Sequence, residues 1–506
     1  MRYRNPILRG FYPDPSICRK GEDYYLVTSS FEYWPAVPIF HSKDLIHWRQ
    51  IGHCLTRHSQ LQLQDLYGPH GIFAPTLRYH NGLFYMITTD VRGQGHFYVT
   101  AKEPADQWSD PVFIEGDGFD PDLFFDDDGK VYYSYHPSDG NIKQCEIDLH
   151  TGVKLSEEIV IWEGYEDKYC EGPHLYKING SYYLLAAEGE TYHGHMAVIA
   201  KGPSPSGPFL SCPHNPILTH RSLGWTAIQS IGHADLIQSH HGTWWLVFLG
   251  VRRIGWGNHH LGRETFIAPV QWTEDGWPMV NQGEPIALTM EVAEDYELHP
   301  WPAEPTRDDF NHRELPLHWN TLRNPMGQPL WSLTRRPGWL SIQGEAPTLS
   351  DIAFHSFVGR RQQHFQCRCE AWCEFVPSRD GEEAGLTVRM NERFHYEISI
   401  TQQAGKRGIL LRKRVADLTV EQFEEIQSTM AVVLRIMAAA EGYQFSYREG
   451  TTGEWHMAGT GESLLLSQEV AGGFTGVYAG MYATGNGRSC EQPAHFDWFE
   501  YEGLDE

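Results

Sequence analysis

The chain has 506 residues, 13% of them aromatic, with 49 glycines, 30 prolines and a formal net charge of −25. The length calls for more than one domain, and the glycine, proline and aromatic content favours short strands and turns over helices. The acidic balance argues against nucleic acid and anionic membranes as partners, and leaves a neutral ligand such as a sugar open.

The amino terminus, MRYRNPILRGFYPDPS, has no basic stretch leading into an apolar core. No run of about 18 apolar residues offers a membrane span. Five segments then share one pattern, a turn with glycine followed by paired aromatic or β-branched residues and an apolar strand. They are KGEDYYLV, HNGLFYMI, DDGKVYYS, INGSYYLL and HHGTWWLV, built on Gly21, Gly82, Gly129, Gly180 and Gly242. Repeats of this length made only of strands predict propeller blades, and five repeats predict five of them. A series of α/β crossovers fits poorly, because the intervals lack amphipathic helical stretches. After about Glu297, LHPWPAEPTRDDF reads as a stiff linker. From residue 306 onward SLTRRPGWLSIQG, RCEAWCEFV, GLTVRM, FHYEISI and YQFSYREG alternate as strands of a β-sandwich without the blade repeat. The expected architecture is therefore all-β: a five-bladed β-propeller over 1–300 and a β-sandwich over 306–506.

The nine cysteines show no zinc-like spacing. In HFQCRCEAWCEFV, alternation puts Phe365, Cys367, Cys369, Ala371, Cys373 and Phe375 on one apolar face, so small buried core residues are expected there. Free thiols and the missing leader fit a cytoplasmic protein.

Nine residues before four of the hairpin glycines lie Phe73, Asp120, Glu171 and His233, and seven before Gly21 lies Asp14. Equivalent strands of successive blades surround one axis, so these positions should meet at one end of a channel. Three of the five are carboxylates, and gathering like charges in a cleft is costly without a use. Glycoside hydrolysis needs two carboxyls across the scissile bond, and a third can raise the pKa of the acid. Taken singly, Asp14 and Asp120 before proline read as turn residues, Glu171 as a loop acid, His233 as a core histidine and Phe73 as packing. A calcium site is the other chemistry open to the same carboxylates.

These segments resemble glycoside hydrolase family 43, particularly its bacterial β-xylosidases. The likeness runs through NPILRGFYPDPSICRKGEDYYLVTSSFEYWPAVPIFHSKDLIHW, GIFAPTLRYHNGLFYMITTDV, GFDPDLFFDDDG, CEGPHLYKINGSYYLLAAEG and LGRETFIAPVQW. The resemblance implies an exo-acting, inverting hydrolase that releases xylose from the non-reducing end of xylo-oligosaccharides. It makes Asp14 the general base, Glu171 the general acid and Asp120 the residue that raises the acid's pKa. His233 would lie beneath the sugar ring and Arg263 would donate to its hydroxyls, a structural ion pair being the plainer reading of Arg263. Phe31 and Phe73 would wall the first sugar subsite, with Phe73 standing where the xylosidases usually carry Trp. The segment SQEVAGGFTGVYAGMYATGNG resembles the family's concanavalin-like (jelly-roll-like) sandwich, from which Tyr478 would reach the pocket; sandwich core is its plainer reading. No cofactor is required for the chemistry, although some members bind calcium or another divalent cation in the channel near the histidine, which makes His233 a metal-ligand candidate. Self-association into a homo-oligomer is implied by resemblance alone. The rival readings are an α-L-arabinofuranosidase or bifunctional enzyme and a non-catalytic sugar-binding propeller. A retaining fructan hydrolase is disfavoured because its Asn-Asp-Pro-Asn and Arg-Asp-Pro segments are missing. An inverting pair should stand roughly 6.5–9.5 Å apart.

Overall fold

The computed structural model describes residues 1–504 apart from 64–69, 139, 167–168, 256, 293–296, 324–328 and 428–430. Up to residue 280 the chain folds into five successive antiparallel sheets. Their first strands are Ser16–Lys20, Thr76–His80, Phe119–Phe125, Glu171–Ile178 and Ile228–Gln238. Each of these strands packs against the first strands of the sheets on either side, and the fifth returns to the first, so the sheets stand round a common axis. The turn to each second strand contains one of the five repeat glycines, all at positive φ (66°, 84°, 85°, 79° and 87°), where a side chain would be strained.

The amino-terminal segment closes the ring by lying across the last sheet. Arg2–Arg4 pairs with Thr289–Glu291, the Ile7 amide donates to the Thr265 carbonyl at 2.9 Å, and Asn5 Nδ2 donates to the Ile267 carbonyl at 2.9 Å. The apolar core is divided accordingly. One cluster lies between the first and second sheets, another between the second and third, another between the third and fourth, and a larger one joins the fourth and fifth to the first.

From residue 307 two larger antiparallel sheets pack face to face around a single cluster that includes Cys367, Cys369, Ala371, Cys373 and Phe375. The alternation expected of this segment holds from Cys367 to Phe375, except that Glu370 on the opposite parity is also buried, tied to Arg435 at 2.7 Å. Phe365, expected on the same face, is only half-buried and packs outside the cluster against His260 and the Arg252 guanidinium. All nine cysteines are free and buried. Helix is confined among the described residues to short turns such as Gln468–Ala471.

The sandwich is bound tightly to the first sheet of the ring. Thr321–Leu322 pairs with Tyr33–Trp34. Glu32, fully buried, forms an ion pair with Arg323 at 2.9 Å and accepts from Arg389 at 3.1 Å, both guanidiniums belonging to the sandwich. Arg361 Nε donates to the Phe11 carbonyl at 2.6 Å while its guanidinium lies over Tyr12.

Candidate active site

Each first strand carries the same irregularity at or near its start, in the fifth sheet a few residues into the strand. Phe119 faces His136 and Asp122 faces Ser134, so three steps on one strand oppose two on the other. Glu171 and His174 repeat this against Ala187 and Leu185, and Gly232 and Asp235 against Leu249 and Val247. In the first two sheets the amides of Ser29 and Phe73 complete the pattern by donating to the carbonyls of Pro13 and Thr89. These are β-bulges, which turn a side chain out of the pleat. Asp14, Asp120, Gly172 and His233 occupy the bulge at φ of 53°, 55°, 58° and 47°. A non-glycine residue held there costs about 1–3 kcal/mol, a strain that concentrates at functional sites.

The bulges correct the register read from the sequence. They group Asp14, Asp120, Gly172 and His233 as one structural set, and place Glu171 one position earlier with Phe73 and Phe119. Counting back from the glycines misaligned them because the third and fifth sheets have five-residue hairpins and the fourth has two. Two consecutive positions per strand, not one, supply the channel mouth.

They converge on a pocket of about 410 Å³ lined by Asp14, Asp120, Glu171, His233 and Arg263 with aromatic walls. Reaching atoms of Asp120, Glu171 and His233 lie within 4.8 Å of one another. Asp14 accepts from Arg263 Nη1 at 2.6 Å and from the Ser29 hydroxyl, and its Oδ1 is 3.9 Å from His233 Nδ1. The Gly172 amide donates to Asp120 at 3.2 Å. Burial, and then the neighbouring Asp14 charge, pushes the Glu171 carboxyl up to about 7, although Arg263 pulls the other way. Burial, then Glu171 and Asp14, pushes Asp120 well above the usual carboxylate range. Burial lowers His233 to about 4, so the imidazole is neutral near pH 7.

Phe31 and Phe73 lie 5.0 Å apart between ring centres, with Phe119 and Phe474 completing the wall. The Arg263 guanidinium sits 5.6 Å from the Phe31 ring and 5.8 Å from Phe474. Tyr169, Glu190, Thr191 and Tyr192 form the rim beside Glu171, and both tyrosines are exposed. Sequence reasoning missed Phe119, Phe474 and this rim. Phe119 was legible from its place before Asp120, matching Phe73 before Ala74.

Tyr478 is not a pocket residue. It is fully buried and stacks on Tyr33 with ring centres 3.7 Å apart at 8°. It begins a strand, Tyr478–Thr484, and its ring faces the interface between sandwich and ring of sheets. The preceding loop does the reaching: the Val477 amide donates to the His260 carbonyl at 2.8 Å, and a Cβ on Gly476 would meet the Leu261 carbonyl at 2.3 Å. That close approach brings Phe474, four residues before Tyr478, to the mouth. Arg263 lines the pocket, but its guanidinium is paired with Asp14 and also donates to Thr191 Oγ1 at 3.4 Å.

The residues at the mouth do not fit calcium. Asp120, Glu171 and His233 could gather round a metal ion, but calcium takes 6–8 oxygens, whereas this set puts an imidazole nitrogen among its ligands and the neighbouring Asp14 is already paired with Arg263. Both carboxyls are also biased toward holding a proton.

An acid held protonated near neutrality, a second carboxylate gripped by arginine and a sugar-sized aromatic pocket are the working parts of a glycoside hydrolase. The sequence profile of the glycosyl hydrolases family 43 matches residues 3–278, and that of the β-xylosidase C-terminal concanavalin A-like domain matches 307–502. A non-reducing end α-L-arabinofuranosidase of Bacteroides ovatus is 43% identical over 99% of this chain and 95% of its own length. A xylosidase/arabinosidase of Butyrivibrio fibrisolvens is 38% identical over 98% of this chain and 99% of its own. The solved structure of GH43B from the Bacteroides ovatus xyloglucan PUL, 42% identical, superposes with a TM-score of 0.96 over the whole of both chains. The chain belongs to glycosyl hydrolase family 43.

Proposed function

We propose that the protein is an exo-acting, inverting hydrolase that removes single terminal pentose units, in the first instance xylose from the non-reducing end of xylo-oligosaccharides. The observation that carries this is the sharing of one small pocket by Asp14, Asp120 and Glu171, closed on one side by Phe474 from the sandwich. Glu171, protonated near pH 7, gives its proton to the leaving oxygen. Asp14 takes a proton from the attacking water; the Arg263 and Ser29 donors orient its carboxyl. Burial and the Asp14 charge keep the acid's pKa high, so the part that the family resemblance gives to Asp120 passes to Asp14; Asp120, held by the Gly172 amide, positions the acid. His233 and the Phe31–Phe73 wall hold the sugar, and Arg263 reaches its hydroxyls. The chemistry calls on no metal at Asp120, Glu171 and His233.

A second reading, α-L-arabinofuranosidase, is favoured by the Bacteroides ovatus relative, and phenylalanine at position 73 weakens the choice between the two sugars. Xylopyranose and arabinofuranose present similar hydroxyl arrays, so one pocket can take both. The test is hydrolysis of the nitrophenyl β-D-xylopyranoside and α-L-arabinofuranoside, with NMR of the first-formed anomer. Turnover of at least one with inverted configuration is expected, and the ratio of kcat/KM values ranks the two readings. Retained configuration, or binding of both without turnover, overturns the proposal. The division at 300–306 and a cytoplasmic location belong to the same proposal, as does assembly of like copies.

A further inference from the structure

Below the carboxylates the channel is filled by a side chain that neither the sequence reading nor the proposed mechanism used. Arg78, from the strand Thr76–His80 of the second sheet, turns its guanidinium onto the axis. It meets Asp122 of the third sheet at 2.8 Å, Asp235 of the fifth at 3.2 Å and His174 Nδ1 of the fourth at 2.9 Å. An arginine can only donate, so His174 Nδ1 accepts and the ring carries its proton on Nε2. Asp235 also accepts from the Ser16 hydroxyl of the first sheet at 2.6 Å, and that hydroxyl accepts from the Leu77 amide at 3.0 Å. Asp122 and Asp235 are fully buried. Four sheets therefore meet on one guanidinium, and the first joins them through the Ser16–Asp235 hydrogen bond.

Its partners lie beside the reacting groups. Ser16 is two residues after Asp14, Asp122 two after Asp120, His174 three after Glu171 and Asp235 two after His233. Two carboxylates and an imidazole drawn from three sheets to one axis would ordinarily suit a divalent cation. Here the space and the charge are already taken. A calcium ion would have to displace the guanidinium, or share a low-dielectric pocket with it at like charge.

We propose that Arg78 is the built-in cation of the channel, a positioning residue that holds the strands bearing Asp14, Asp120, Glu171 and His233 in register and makes turnover independent of divalent metal. The turnover clause rests on the function proposed above; the cation clause does not.

The experiment pairs calcium titration calorimetry with kinetics on the full chain. The unaltered protein should give no calcium-binding heat, and its kcat/KM should be the same after EDTA treatment as with added calcium. Arg78→Ala vacates a site walled by Asp122, Asp235 and His174. It should bind calcium, and lose about a hundredfold in kcat with little change in KM, because misplacement by about an ångström costs that much. Millimolar guanidinium or calcium should restore part of the loss, which a merely structural residue would not allow. Arg78→Lys, which keeps the charge, should retain more turnover than the alanine variant. Activity of the unaltered protein that disappears with EDTA and returns with calcium overturns the proposal, as does near-normal kcat in Arg78→Ala. Should Arg78→Ala fail to fold, the EDTA comparison and Arg78→Lys decide. Should neither nitrophenyl glycoside be cleaved, the functional reading falls, while calcium binding by the unaltered protein and by Arg78→Lys still decides the cation clause.

Discussion

In the proposed mechanism Glu171, whose carboxyl is pushed up to about 7, is the proton donor, and the two together set the direction of the pH response. The acid works only while protonated, so kcat/KM should fall as pH rises through about 7. Glu171→Gln should lower kcat on xylobiose by about 10²–10⁴-fold, the usual worth of a general acid. It should lose far less on a substrate whose leaving group needs no proton; Asp14→Asn should lose both alike, and near-normal kcat in that variant would remove Asp14 from the role of base. Stability follows with its own sign. The folded-state pKa lies above the ordinary 4.5, so charging Glu171 weakens the fold as pH rises from about 4.5 to 7. Glu171→Gln should therefore melt higher than the parent at pH 8, and the difference should vanish below about pH 4, measured as thermal midpoints.

At the scale of the element, the repeated bulge decides which residues face the pocket. The alternation of strands and the hairpin glycines were plain in the sequence, and they located all three carboxylates. The bulge was not, because an inserted residue leaves no mark on hydrophobic periodicity and the unequal hairpins hid the offset between Asp120 and Glu171. Phe474 escaped for a different reason. Both Phe474 and Tyr478 sit in one glycine-rich stretch, and only the contact of Gly476 with Leu261 shows which aromatic ring is carried forward. Phe474→Ala should open one wall and raise KM for single-sugar glycosides by roughly tenfold, the worth of about 1.4 kcal/mol of lost contact. The fold should be spared, since the ring is only half-buried.

For the whole molecule, the Glu32 pairing with Arg323 and Arg389 means that the two halves stand or fall together. Removing one partner of a buried ion pair costs about 3–5 kcal/mol because the remaining charges stay buried. Glu32→Gln should therefore lower the thermal midpoint markedly, and the parent should melt in one transition by calorimetry. Two separate transitions would show that the ion pair does not couple the halves. Nothing in the sequence pointed to Glu32: a lone acid in SSFEYWP gives no hint of partners some 290 and 357 positions away.

Arg78 also plugs what would otherwise be an open tunnel. A substrate tip entering from the mouth meets the guanidinium and its carboxylate partners before it could pass between the sheets. In the exo-acting reading proposed above, the freed monosaccharide is held between Arg78 and the shortened chain after each cleavage. It can leave only once that chain has departed. Such a site clips one unit per encounter and cannot slide along a polymer, so digestion of a long oligosaccharide should show every intermediate length at once rather than a jump from full length to monomer.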